Sequence, residues 1–122
     1  MLRHQIPRML SLIARYADAY NTAWHMDPAI VTQRWDDVKA ACKAIDRDPA
    51  TLELTAGTIV RLLGPDTPHD TESKYIQGEP EEVAQRLRGF ADVGVQHLIV
   101  ILNPVNEQVV ERFARVVELL KA

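Results

Sequence analysis

Few residues of this chain combine a reactive side chain with a useful spacing. The four histidines, His4, His25, His69 and His97, are scattered, and none lies three or four residues from another histidine or a cysteine. Metal ligation by a local motif is therefore not expected. Cys42 is the single cysteine, which rules out an intrachain disulfide. It falls on the apolar face of a helical stretch, where it reads as a small core residue. Glu81 and Glu82 follow Pro80 at a helix start and suit the positive end of a helix dipole better than an acid/base couple. Glu53 is an acid inside a strand. It points either inward, toward a ligand or a basic partner, or outward, against a helix. Asn21, Trp24 and His25 follow one another at the end of a short strand-like stretch, and Asn103 and Asn106 flank the end of a later one. His25 is either a pocket or acid/base group or a solvated loop residue. Asn21 and Trp24 also have plain structural readings, as a turn residue and a loop aromatic.

Helical and extended stretches alternate to position these groups. Met9, Leu10, Leu12, Ile13 and Tyr16 give helical spacing from Pro7 to Ala17. The "DAYNTAW" stretch, Asp18 to Trp24, reads as a short strand running into a loop. Asp27-Pro28 has the form of an N-cap with proline in the first turn. The helix it opens carries Ile30, Val31, Trp35, Val38, Ala41, Cys42 and Ile45 and ends before Pro49. Thr51 to Leu63 is a strand candidate, with Leu52, Leu54 and Ala56 on one face and Thr51, Glu53 and Thr55 on the other. Gly57 within it marks a bulge or a close backbone approach. Gly64 to Lys74 has loop composition. Gly78 to Glu82 opens a helix with Val83, Leu87, Phe90 and Ala91 as its apolar stripe and Gly94 as its positive-φ stop. Leu98 to Leu102 is five apolar residues in a row, a strand that needs cover on both faces, as in a parallel sheet or barrel wall. A last helix, Asn106 to Leu120, presents Val109, Val110, Phe113, Val116, Val117 and Leu120.

The reading is α/β: three parallel strands alternating with four helices, joined by right-handed crossovers. A sheet this small keeps two open edges and an inner face without a lid. Self-association is therefore expected. The 122 residues suit one domain. A net charge of −3 offers no basic field for nucleic acid. No apolar run is long enough to cross a bilayer, and residues 1–17 lack the apolar core of a signal peptide. Together with the lone cysteine, this makes a reduced cytoplasmic setting the simplest expectation.

The chain resembles the C-terminal part of the luciferase-like monooxygenases, (β/α)8 barrels that use reduced flavin or a deazaflavin. Four stretches carry the resemblance: "PRMLSLIARYADAYNTAW", "CKAIDRDPATLELT", "YIQGEPEEVAQRLRGFADVGVQHLIVIL" and "NEQVVERFARVVELL". They occur in the family's order and spacing and span nearly the whole chain. The resemblance implies a partial barrel, with the three strands matching the sixth, seventh and eighth of eight. It implies FMN or a deazaflavin as cofactor and an oxidoreductase activity. Arg8, Asn21 and Trp24 would then line the cofactor site, and His25, Glu53 and Asn103 the substrate pocket. "RHQIPR", Arg3 to Arg8, stands where the family has the end of a glycine-rich phosphate loop, with Gln5 and Ile6 where small residues are usual. Asp46 stands at a turn where the family has glycine, a position that aspartate tolerates. The resemblance further implies a partner, either more copies of the chain or a separate N-terminal half-barrel. The alternative is a non-catalytic oligomeric binding or scaffold protein that kept the fold segment.

Overall fold

The computed structural model describes residues 7–71 and 74–121. Four helices, α1 (Pro7–Tyr16), α2 (Pro28–Lys43), α3 (Pro80–Asp92) and α4 (Glu107–Lys121), alternate with an all-parallel sheet. The sheet contains β1 (Ala19–Thr22), β2 (Glu53–Leu62), β3 (Ile76–Gly78) and β4 (His97–Leu102). The fold is thus α/β and parallel as the sequence implies, with one strand more than expected. β3 lies between the stretch read as loop, which ends at Lys74, and the helix start read from Gly78. Three residues are too few to show an alternating pattern, and Gly78 with Pro80 disguises them as the entry to α3.

β2 is the hub of the sheet. Its Glu53–Ala56 segment pairs with β1, Thr55–Val60 with β4, and Val60–Leu62 with β3. In a strand, successive residues direct their backbone groups to opposite edges. Glu53 and Gly57 bond on the β1 side, to Asp18 and His25, while Leu54 and Val60 bond on the β4 side, to Gln96 and Asn103. Leu63 shares the odd register and bonds Gly78, so β3 continues the edge that β1 leaves.

Side chains of β2 alternate in the same way between two faces. Leu54, Ala56, Val60 and Leu62 are fully buried. They form the core with Val83, Leu87 and Phe90 of α3 and Val109 and Val116 of α4. A second cluster joins Ala14, Val38, Cys42 and Leu52, so Cys42 is the small core residue its helical position implied. On the opposite row of β2, Glu53 is exposed and Thr55, Ile59 and Arg61 are half-buried. Ile99 and Ile101 of β4, opposite Gly57 and Ile59, are each 42% exposed on that open face. Their neighbours Leu98, Val100 and Leu102 are half-buried against the core. Cover on both faces of this strand, which its run of apolar residues demands, is therefore supplied on one face alone.

Local signals in the sequence account for the helix ends. Asp27 caps α2 by accepting a hydrogen bond from the Ala29 amide at 2.9 Å. Asp48 does the same for the short turn Pro49–Thr51 through the Ala50 amide. Asp46 takes φ 60°, the left-handed conformation expected of its turn. Gly94 ends α3 at φ 100°. Two helical stripes depart from expectation. In α3, Ala84 is buried and Ala91 exposed. In α4, Val110, Val117 and Leu120 lie outside the core. Val110 and Val117 sit one residue past Val109 and Val116, which turns them about 100° away from the sheet.

Thr58 is the exception on the buried face of β2. It is completely buried, and its hydroxyl has no hydrogen-bond partner. An unmet hydroxyl in an apolar core costs on the order of 1–3 kcal/mol. Thr58→Val keeps the branched shape and removes that cost. Urea denaturation of the variant is expected to show a gain of about 1 kcal/mol.

Candidate functional site

The open face is a strip of side chains in layers set by strand register. At its amino end, Ala19 of β1 lies opposite Glu53 of β2. The next layer is polar: Asn21, Thr55 and His97 stand side by side across three strands. The Thr55 hydroxyl lies 2.8 Å from Asn21 Oδ1 and donates to it. The middle of the strip is apolar, formed by Gly57 with Ile99 and Ile59 with Ile101. At the carboxyl end, Arg61 lies beside Gln77 of β3. Asn103 follows the last residue of β4 there.

Trp24 belongs to the middle layer. A Cβ placed on Gly57 would come within 2.6 Å of the Trp24 ring and 2.9 Å of the Ala23 Cβ. The close backbone approach implied by a glycine inside β2 is therefore the six-membered ring of the Trp24 indole, packed against that strand. The Ala23–Trp24 peptide is cis. Trp24 nonetheless remains 45% exposed.

His25 is held by two bonds. Its amide donates to the Gly57 carbonyl at 3.0 Å. Its Nε2 lies 2.7 Å from the Thr22 hydroxyl. Burial pushes the His25 pKa below the ordinary 6.5, and the Arg34 charge lowers it further.

The other residues singled out from sequence are dispersed. Arg8 is exposed in the first turn of α1. The last turn of that helix is tied to the strand starts, where the Arg47 guanidinium donates to the Ala14 carbonyl at 3.0 Å. Arg8 therefore lies at the helix end away from those starts. Arg3 to Ile6 of the expected phosphate loop, and His4 with them, fall outside the described residues. Glu53 lies on the inner face, as one of its two readings had it, but at the amino end of the strip. Eight residues separate it from Arg61, about 26 Å along the strand. It is thus not brought together with Asn103, and Gly57 under Trp24 lies midway between the two ends. No group of three or more histidine, cysteine or acidic residues among the described residues could hold a metal ion.

Sequence reasoning missed Arg61 and Tyr75. Arg61 Nε donates to the Pro68 carbonyl at 3.0 Å. Its guanidinium carbon lies 5.9 Å from the Tyr75 ring centre, within cation–π range. The Tyr75 hydroxyl is 3.5 Å from Asn103 Nδ2, which donates to it. The odd-residue alternation of β2 carries on from Glu53, Thr55 and Gly57 to Arg61, so continuing the pattern along the strand would have found this arginine.

No protein-family model and no curated protein matches the sequence. The structure does match solved ones. It superposes on an F420-dependent secondary alcohol dehydrogenase, in complex with an F420–acetone adduct, with a TM-score of 0.64 at 13% identity. It also superposes on the coenzyme F420-dependent tetrahydromethanopterin reductase of Methanopyrus kandleri, with a TM-score of 0.61 at 14% identity. The matches cover 93% and 92% of this chain but 46% of each of those structures. The fold is therefore a partial (β/α) barrel, as the sequence implied, and the chain spans about half the length of these neighbours. No helix among the described residues is long and apolar enough to cross a membrane.

Two outcomes follow from this geometry. Gly57→Ala drives a methyl into the Trp24 ring and should cost about 1–3 kcal/mol in urea denaturation. Adding Trp24→Ala should recover part of that loss. Because folded His25 resists a proton that the unfolded chain accepts, stability is full above pH 6.5 and falls as pH drops from there through the lowered native pKa. Denaturation midpoints measured across that range should show this fall, and His25→Asn should show a shallower one.

Proposed function

We propose that this chain is the C-terminal half of a deazaflavin-dependent oxidoreductase barrel and works when a complementary half-barrel closes its open face. The superposition on two F420-dependent enzymes over most of the chain supports the chemistry class. It also favours a deazaflavin over FMN. The observation that carries the reading is the inner face itself. Trp24, Ile99 and Ile101 remain between 42% and 45% exposed on it.

Apolar exposure continues on both flanks of the sheet. Met9, Leu12 and Tyr16 are exposed along α1, and Val110, Val117 and Leu120 along α4. A barrel would cover these places with its remaining strands and helices. A complementary half fits three separate surfaces at once, whether it lies on the same polypeptide or another.

The residues present suit one wall of a cofactor pocket. The strip from the Trp24 indole through Ile99 and Ile101 offers a flat apolar surface to a fused-ring system, with polar groups above and below it. Reduced deazaflavin, when bound, supplies a hydride. Trp24 and the isoleucines would orient its ring and exclude water from it. His25, neutral at physiological pH, can accept a proton at the rim. Arg8 would lie toward the cofactor phosphate and Asn21 toward the ring, while His25 and Asn103 would face the substrate. Glu53, at the amino end of the strip, would lie at the edge of the pocket opposite Asn103.

The test is fluorescence titration of the purified protein with F420 and with FMN, alongside light scattering. Saturable F420 binding by an assembled form supports the proposal. Preference for FMN would change the cofactor, and assembly through further copies of the chain would change the partner. A chain that binds neither cofactor at high micromolar concentration, both alone and co-expressed with a complementary half-barrel encoded beside it, overturns the reading in favour of a non-catalytic scaffold.

A further inference from the structure

We infer that Arg61, Tyr75 and Asn103 form an anion-binding end of the open strip, one that receives a carboxylate or phosphate group of the substrate. This rests on the proposed reading of that face as a pocket wall. Three observations carry it.

The first is the state of the Arg61 guanidinium. It lies on the open face at the carboxyl end of β2 and forms no ion pair among the described residues. Its Nε–H is already used by the Pro68 carbonyl at 3.0 Å. The Nη1 and Nη2 groups remain, and their forked donors match two oxygens of a carboxylate or phosphate.

The second is how firmly the guanidinium is held. The Tyr75 ring lies 5.9 Å from its carbon. Gln77, beside Arg61 in the register, holds the backbone of Asp70 on both sides. It accepts from the Asp70 amide at 2.9 Å. It donates to the Asp70 carbonyl at 2.7 Å. The segment carrying Pro68 is therefore fastened to the strand that flanks Arg61. A planar cation fixed by a ring and a carbonyl loses little freedom on binding, so its remaining donors are preorganised.

The third is the chemistry around it. The Tyr75 hydroxyl accepts from Asn103 Nδ2 at 3.5 Å, which leaves its own proton free to donate. Lys74 Nζ lies 5.6 Å from the same ring. Donors thus converge where the strands end. Four residues separate Arg61 from Gly57, the position under Trp24, or about 13 Å along the strand. A ligand with an apolar body against Ile99 and Ile101 and an acidic end group fits that separation. Arg8, on α1, is left for the cofactor phosphate, and Arg61 for the substrate.

The test is a titration of the full chain with orthophosphate and, separately, with succinate, followed through the Arg Nε–H and tyrosine signals in NMR spectra. Saturable shifts at Arg61 and Tyr75 in the millimolar range are expected. Arg61→Gln should weaken binding by at least about tenfold. Arg61→Lys should keep part of the phosphate response and lose most of the succinate response, because a point charge replaces the fork. Tyr75→Phe should weaken both. Stronger phosphate binding would assign a phosphorylated substrate, and stronger succinate binding a carboxylic acid. Shifts that are absent, or that persist unchanged in both Arg61→Gln and Tyr75→Phe, overturn the site. Neither titration uses a deazaflavin, so anion binding at Arg61 without F420 binding would leave this site standing while the oxidoreductase reading fell.

Discussion

Each side chain of β2 must choose between a closed core and an open surface, and the strict alternation of an extended chain makes that choice for all of them together. Leu54, Ala56, Val60 and Leu62 enter the core beneath α3 and α4. Glu53, Thr55, Gly57, Ile59 and Arg61 are committed to the other side by the same geometry. A slip of one residue would bury Glu53 and Arg61 and expose the core row. Burying two charges without partners is far costlier than any hairline gain in packing. The register that protects the core therefore also builds the open strip.

The two faces of the sheet differ in their cover. The core face has helices laid across it, with Phe90, Val83, Val109 and Val116 filling the space. On the open face, the Trp24 indole packs against Gly57. One indole shields the middle of β2 and leaves β4 bare, since Ile99 and Ile101 stay exposed. An apolar patch of this kind is unusual on a parallel sheet, because such sheets are normally covered on both faces.

Polar groups are distributed along the strip in a way that suits a binding surface more than a structural one. Asn21 and Thr55 satisfy each other at 2.8 Å at one end. Arg61 and Tyr75 at the other end keep donors in reserve. Thr58, on the opposite face, shows the contrast: its hydroxyl is sealed in apolar packing, where no ligand could reach it. The difference between a reserved donor and a stranded one is access to solvent.

Much of the fold was legible in the residues alone. Asp27-Pro28, Asp48-Pro49, Pro80 with Glu81 and Glu82, and Gly94 announce helix ends by chemistry that acts over three or four residues. The alternation of Leu52, Leu54 and Ala56 announces β2 and its buried face. The five-residue run Leu98–Leu102 announces a strand that needs two covers. These are local properties, and the chain determined them by itself. β3 was not legible, because three residues beside a glycine carry no period. Nor was the partnership of Arg61, Tyr75 and Asn103, since residues up to 42 positions apart meet only when β2, β3 and β4 align. The same holds for Trp24 over Gly57. The glycine signals that something approaches, and only the pairing of β1 with β2 decides that it is an indole. Local pattern sets which face each side chain takes, whereas tertiary register sets which side chains share a layer.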